Sequence, residues 1–271
     1  MIGAFAAVDL RISIAAEKLF SVGGVSITNA IVTGLMGLVV MLAILFYVVY
    51  MVRTGRYNRF VGLVQWVFEG LLKSINDVVP DRALGRKVTP LAVTIFFFVL
   101  INYWLSVLPG LDSILIGGVP LLRSLTADLN FTLGLAIITV VTVQFYAIKH
   151  LGVLGNARRY FRNPAKDPIG SFEGILELIG ELSRGTALAL RLFGNAFAGE
   201  VLLIVIAVLT NYFASVTLPF FMAFELFIGF IQAYVFFILT LIFTSLAVTS
   251  HGDASPDHSP ALQPQTAQQL E

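Results

Sequence analysis

The chain has 271 residues, of which 58% are hydrophobic and 12% charged, with a net charge of +1 and a mean hydropathy of +0.90. This composition is too apolar for an ordinary soluble domain and predicts an integral membrane protein. The chain contains no cysteine, which excludes disulfide scaffolds, zinc–thiolate sites and iron–sulfur clusters. A net charge near zero also argues against a nucleic-acid partner.

The two ends of the chain are predicted to be tails around a membrane domain at 27–249. Residues 1–20 have no basic segment ahead of an apolar core and no clean small-residue cleavage site, so we do not interpret them as a signal peptide. We expect 1–26 to be a short external or interfacial tail. Residues 250–271 are polar, with three prolines and no Lys or Arg, which predicts a disordered cytoplasmic tail.

Five segments are long and apolar enough to cross the bilayer, which takes about 20 residues of helix for roughly 30 Å of hydrocarbon. They lie at about 27–52, 88–109, 129–148, 170–212 and 216–249. The last would be about 50 Å long at ~1.5 Å per residue. We therefore expect the last two helices to be long and strongly tilted, with a short turn at 211–215 between them.

The segment at about 57–79, between the first two spans, is predicted to be an amphipathic helix on the membrane surface. Its apolar residues recur at helical spacing on one side: Phe60, Leu63, Val64, Val67, Leu71, Ile75 and Val78. Its charged residues fall on the other side: Arg59, Glu69, Lys73 and Asp77. The predicted fold is therefore an all-α integral membrane protein with five transmembrane helices and one surface helix.

Basic residues are distributed unevenly among the loops. Twelve Lys and Arg lie between the first and second or the third and fourth spans, whereas the opposite side has Arg11, Lys18 and Arg123. Cytoplasmic loops carry the excess of Lys and Arg. We therefore expect the N-terminus outside and the C-terminus in the cytoplasm.

The fourth span contains several charges at bilayer depth, where each costs at least about 2.5–3.5 kcal/mol. They are Glu173, Glu177, Glu181, Arg184, Arg191 and Glu200. At ~100° per residue most of them, with Asn195, fall within about 80° of Arg191, whereas Glu200 falls about 180° away. For Glu173, Glu181 and Arg184 the alternative to a functional role is local pairing near the cytoplasmic end.

Arg191 has no acidic residue within one helical turn, and three small residues share its side of the helix: Ala187, Gly194 and Ala198. Small residues allow another helix to approach closely. We therefore expect a neighbouring helix, in this chain or in another subunit, to supply the counter-ion. A guanidinium attracts a carboxylate but does not release its own proton. The alternative is an arginine that snorkels to lipid phosphate or binds backbone carbonyls.

The last span carries Glu225 and Gln232 on one face, with Gly229 between them. Gln232 offers Arg191 both a donor and an acceptor. Glu225 could exchange protons if it lined a wet cavity together with Glu200. The alternative for Glu225 is a structural pairing with a polar residue of another helix.

The segment Ala189-Leu-Arg-Leu-Phe-Gly-Asn195, continuing through Ala198-Gly-Glu200, resembles the signature helix of subunit a of F-type ATP synthases. The resemblance extends to Thr126-Ala-Asp-Leu-Asn130 at the start of the third span, to Glu177, and to Phe230-Ile-Gln-Ala233 in the last span. It covers about 27–247, with the same order of motifs, five crossings and a surface helix.

The resemblance implies an ion-translocating stator of a rotary motor in the bacterial inner (plasma) membrane. Such a subunit packs against a ring of c subunits, each with an ion-binding carboxylate, and against peripheral-stalk b subunits. It is not catalytic on its own, and the resemblance implies no cofactor or metal.

The family's roles then fall on individual positions. Arg191 would attract the ring carboxylate and separate two offset proton half-channels. The outer half-channel would be lined by Glu200 and Glu225, with Asn195 and Gln232 nearby, and Glu177 would belong to the cytoplasmic one. The face of Ala187, Gly194 and Ala198 would contact the ring.

Two features depart from the family's pattern. Many relatives have a histidine in the outer path, whereas no predicted span here contains one. Arg184-Gly-Thr186 stands where a lysine and a proline are common. These departures leave open the cytoplasmic path and the choice between H⁺ and Na⁺.

A self-contained secondary transporter is the alternative from another functional class. Transporters of that class usually show repeated halves and helices broken at the midplane, and the sequence has no convincing internal repeat. An intramembrane enzyme is disfavoured because the chain lacks HExxH and GxSxG motifs. It also lacks a P-loop, so ATP chemistry would reside in other subunits.

Overall fold

The computed structural model describes residues 16–22, 25–108, 115–116, 119–161 and 168–248. The predicted disordered tail, and the predicted external tail up to residue 15, lie outside these ranges. The described residues form six α-helices and two short antiparallel hairpins. The helices are α1 (Asn29–Arg53), α2 (Arg59–Val78), α3 (Arg82–Val107), α4 (Leu129–Tyr160), α5 (Pro168–Thr210) and α6 (Ala214–Val248). The hairpins are β1 (Lys18–Val22) with β2 (Val25–Thr28), and β3 (Leu115–Ile116) with β4 (Val119–Pro120).

Five of these six helices are long and apolar enough to cross a membrane, namely α1, α3, α4, α5 and α6. The predicted fold class is therefore confirmed. α5 has 43 residues and α6 has 35, which correspond to roughly 65 and 53 Å of helix. A hydrocarbon layer of about 30 Å accommodates such helices only when they tilt or extend beyond it. A 3₁₀ turn at Asn211–Phe213 joins them, within the turn predicted at 211–215.

Two helices extend beyond the predicted spans. α3 begins at Arg82 rather than near 88, because the Asp81 carboxylate caps it by accepting a hydrogen bond from the Ala83 amide at 2.8 Å. α4 continues to Tyr160 rather than ending near 148, with a kink at Gly152, whose φ of 75° suits glycine. Hydropathy marks the part of a helix in lipid but not the part that continues into water.

The apolar residues of α2 divide between the helical bundle and the exposed surface. One stripe is buried where α2 packs against α3 and α6, and it comprises Val61, Val64, Leu71 and Ile75. Other large apolar side chains on α2 are exposed, among them Leu63 and Trp66. α2 therefore has one apolar side that is buried in the helical bundle and another that is exposed.

α3 lies at the centre of the bundle and packs against α1, α2 and α6. The core around it is aromatic, and the rings of Phe96 and Phe237 meet edge to face at 6.2 Å. α5 lies at the periphery of the bundle, where it packs against α4 and α6. It does so through small residues, including Gly185, Ala189 and Gly199. This packing buries one side of α5 and leaves the other side open.

Candidate functional site: the open face of α5 and the cavity behind it

Arg191 lies on the open face of α5, near the middle of the helix. Ala187, Gly194 and Ala198 are exposed on the same face, and a methyl group added at Gly194 would meet no atom within 4 Å. The opposite side of the helix is buried, as shown by Ala196. Within the described part of the chain, the Arg191 guanidinium forms no hydrogen bond or ion pair. The structure thus presents a cation on an exposed surface of small residues.

Asn195 and Gln232 connect this face to α6. The Asn195 Nδ2 group donates a hydrogen bond to Oε1 of the buried Gln232 at 2.6 Å. The Gln232 Nε2 group has no hydrogen-bond partner among the described residues. The Gln232 carbonyl, which we expected to be available to Arg191, therefore accepts a hydrogen bond from Asn195, which lies one helical turn after Arg191.

Glu200 and Glu225 line one cavity on the other side of α5. Its volume is about 20 Å³, which is room for one water molecule. Its walls are Tyr103, Ser106 and Val107 of α3, Ser124 of the loop before α4, Ala196, Gly199, Glu200 and Leu203 of α5, and Glu225 of α6. The structure thus brings together the two carboxyl groups that the sequence placed 25 residues apart.

The three wall residues with hydroxyl groups were not predicted from the sequence. Tyr103, Ser106 and Ser124 carry hydroxyl groups into the cavity wall, and the Tyr103 hydroxyl donates a hydrogen bond to Glu225 Oε2 at 3.0 Å. The available signal was weak, because tyrosine and serine are common in membrane helices. Only the hydroxyl of Tyr103, within a segment that has no charged residue, could have suggested a polar neighbour.

Glu177 lies on the other side of Arg191 along the helix axis and is half-buried. Fourteen residues correspond to roughly 21 Å of helix, and the nine residues from Arg191 to Glu200 to roughly 14 Å. The two carboxylates therefore flank the arginine at opposite ends and on different sides of α5.

Two of the other charges near Glu177, Glu181 and Arg184, contact neighbouring helices. Glu181 accepts a hydrogen bond from Gln144 of α4, and Gln144 in turn accepts one from Asn156 at 3.1 Å. The Arg184 guanidinium lies over the ring of Phe243 of α6, 5.7 Å from its centroid, which is a cation–π geometry. Glu181 and Arg184 thus serve the packing of α5 against α4 and α6, beyond any local pairing along α5.

The third-span motif has a structural role. The Asp128 carboxylate caps α4 and accepts hydrogen bonds from the Asn130 backbone amide at 2.9 Å and its side-chain amide at 3.2 Å. This cap satisfies a donor that the first helical turn leaves unpaired.

The site therefore combines a permanent cation on an open surface with carboxylates at two other depths. Such a cation can bind a carboxylate of another molecule but cannot pass a proton on, whereas carboxyl groups beside a water-sized cavity can exchange protons. Among the described residues there is no group of three or more His, Asp or Glu suited to a metal ion.

Comparison with known proteins gives a family for this arrangement. A family model described as ATP synthase A chain matches residues 32–245. ATP synthase subunit a of Mycobacterium ulcerans is 31% identical over 231 residues, covering 83% of this chain and 89% of the relative. ATP synthase subunit a 2 of Vibrio campbellii is 32% identical over 238 residues, with 84% and 90% covered. The subunit from Mycobacterium bovis is 34% identical over 192 residues, with 69% and 74% covered. With most of its length matched, the chain belongs to the ATP synthase A chain family.

Proposed function

We propose that the chain is the proton-translocating stator subunit of a rotary F-type ATP synthase. Family membership makes it a component of the membrane sector of that complex. In this proposal it holds two offset half-channels, with Arg191 between them as the essential charge. It is not catalytic on its own, and ATP chemistry resides in other subunits.

The observation that carries the proposal is the exposed Arg191 on a face of small residues. A guanidinium at membrane depth needs an anionic partner, and the described part of this chain supplies none. A carboxylate on each c subunit of a rotating ring would be such a partner. Ala187, Gly194 and Ala198 would let the ring helices approach closely enough for the contact.

Electrostatics then explain why the contact drives proton release. A carboxyl group facing lipid is stable in its neutral, protonated form, because an isolated buried charge is costly. Beside a fixed guanidinium the carboxylate is stabilised, so the ring gives up its proton at this point. Because Arg191 stays charged, it also blocks direct proton passage between the two half-channels.

The two carboxyl clusters supply the access paths in this proposal. Glu200 and Glu225, beside their shared cavity, belong to the outer half-channel, and Asn195 and Gln232 lie between it and Arg191. Glu177, roughly 21 Å along α5 from Arg191, belongs to the cytoplasmic half-channel. We propose protons as the transported ion, since two carboxyl groups at a water-sized cavity suit proton exchange.

The excess of basic residues from Arg53 to Lys87 and from Lys149 to Lys166 supports an external N-terminus and a cytoplasmic C-terminus in a bacterial inner membrane. The c-ring would lie against the open face of α5. The b subunits of the peripheral stalk would hold the chain stationary against the ring's rotation.

Substitution of Arg191 tests the proposal. Arg191→Ala should abolish ATP-driven proton pumping in inverted membrane vesicles, yet permit passive proton flux through the membrane sector after removal of the catalytic head. Arg191→Lys should also fail in coupled ATP synthesis, because a desolvated lysine can lose its proton.

Arg184→Lys is the matched control, since Arg184 packs on Phe243 inside the chain and lysine keeps a positive charge near that ring. This variant should pump at close to the wild-type rate. Normal pumping by Arg191→Ala would contradict the proposed role of the central charge.

A further inference from the structure

The Tyr103 hydroxyl on α3 holds the carboxyl group of Glu225. The Tyr103 side chain is 1% exposed and Glu225 is 3% exposed, and the O–H donates to Oε2 at 3.0 Å. Among the described residues this is the one hydrogen bond that the Glu225 carboxyl makes. Because a buried carboxyl group depends on its few partners, the position of Glu225 depends strongly on this hydroxyl.

Two glycines shape the space around this pair. A methyl group added at Gly229 of α6 would stand 2.9 Å from Cγ of the Tyr103 ring, so the ring lies directly on that backbone. A methyl group at Gly199 of α5 would collide with the Glu225 carboxyl. The carboxyl is thus seated between the hydroxyl of α3 and the bare backbone of α5, next to Glu200 in the same cavity wall.

A hydroxyl suits a carboxyl group that gains and loses a proton. It donates to the ionised form and can rotate to accept from the protonated form, whereas lysine and arginine only donate. A hydrogen bond from tyrosine can therefore hold the side chain in one orientation throughout a proton-transfer cycle.

We propose that Tyr103 is a positioning residue for ion transport, which keeps the Glu225 carboxyl aimed into the cavity that it shares with Glu200. This inference rests on the proposed role of Glu225 in the outer half-channel. It adds a third helix, α3, to the elements that build the access path.

Tyr103→Phe tests the proposal because it removes the hydroxyl and keeps the ring that packs on Gly229. The complex is reconstituted into liposomes, the catalytic head is removed, and proton flux is measured under an imposed potential. We expect flux to fall roughly 3- to 10-fold, the equivalent of one lost hydrogen bond. Tyr146→Phe is the control, since its hydroxyl donates to the Lys87 carbonyl on another part of the surface at 2.8 Å. It should leave flux unchanged.

An infrared measurement separates positioning from a general structural defect. The carboxyl C=O band of Glu225, recorded at a pH where the group is protonated, is assigned by its disappearance in Glu225→Gln. In Tyr103→Phe this band should shift, because the protonated carboxyl loses its hydrogen-bond partner, and in Tyr146→Phe it should not move.

The outcomes are distinct. Slower flux together with a shifted band supports the proposal, and wild-type flux or an unshifted band in Tyr103→Phe overturns it while the role of Glu225 stands. Wild-type flux in Glu225→Gln would overturn the role of Glu225 and the positioning role with it. If Tyr103→Phe does not assemble, Gly199→Ala is measured in the same way, because its methyl group displaces the Glu225 carboxyl from the α5 side. Slower flux and a shifted band in Gly199→Ala would support the proposal that the carboxyl must be held in this orientation. Wild-type flux would overturn it.

Discussion

Gly229→Ala adds one methyl group at a point where α3 and α6 pack closely. The new carbon would stand 2.9 Å from Cγ and 3.0 Å from Cε1 of the Tyr103 ring, well inside the roughly 3.5–4.0 Å at which carbon atoms pack. The ring has little freedom to move, because it is 1% exposed and its hydroxyl is bonded to Glu225. α3 and α6 must therefore separate or the ring must leave its preferred rotamer.

The size of the effect follows from two opposing terms. Overpacking of a well-packed core lowers the free energy of unfolding by about 1–3 kcal/mol. Replacement of a helical glycine by alanine raises it by about 1 kcal/mol at most. Gly194→Ala is a control for the second term, because a methyl group there meets no atom within 4 Å. The free energy of unfolding of Gly229→Ala should therefore lie about 1–3 kcal/mol below that of Gly194→Ala.

The measurement is unfolding of the purified full chain in mixed detergent micelles by titration with dodecyl sulfate. Tryptophan fluorescence reports on the contact between α3 and α6, since the Trp104 indole of α3 donates a hydrogen bond to the Leu226 carbonyl of α6 at 2.9 Å. Replacing the exposed Trp66 by Phe in all variants leaves Trp104 as the chain's sole tryptophan. Equal stability of the two alanine variants would refute the close packing of α3 on α6.

Three further results are expected. A cysteine at Ala198 should cross-link to a cysteine beside the ring carboxylate, whereas a cysteine at the buried Ala196 should not. The reverse pattern would show that the ring contacts the side of α5 opposite to the proposed one. Glu225→Gln and Glu200→Gln should each slow proton-driven ATP synthesis about tenfold or more, because an amide cannot exchange the proton. The yield of intact complex checks that each variant assembles. Unchanged rates in both single variants and in the double variant would show that these residues are not part of the proton path. A membrane-impermeant thiol reagent should modify Arg86→Cys in inverted vesicles but not in intact cells. Modification in intact cells would contradict the proposed topology.

The sequence by itself determined the number and approximate position of the membrane helices. A segment in hydrocarbon must satisfy its backbone internally and cover itself with apolar side chains for about 20 residues. This requirement produces a strong local signal, which predicted the five helices that are long and apolar enough to cross a membrane. Helical periodicity also separated Arg191 from Glu200, since that angle depends only on the 3.6-residue repeat.

Local signals were less informative about where helices end. α4 was expected to stop near residue 148, whereas it continues to Tyr160 through the kink at Gly152. The surface helix α2 was identified, but its apolar residues divide between the bundle and the exposed side. Hydropathy does not distinguish these two environments, because lipid and protein core are both apolar.

Only the tertiary structure decided which polar groups meet. Tyr103 and Glu225 are 122 residues apart and Asn195 and Gln232 are 37 residues apart, and nothing local couples them. In a soluble helix the polar face would show which side is buried, but a membrane helix is apolar on all sides. The buried face then depends on close packing, here on the glycines at 199 and 229. A glycine's neighbour is set by the assembled bundle and not by the residues beside it in the chain.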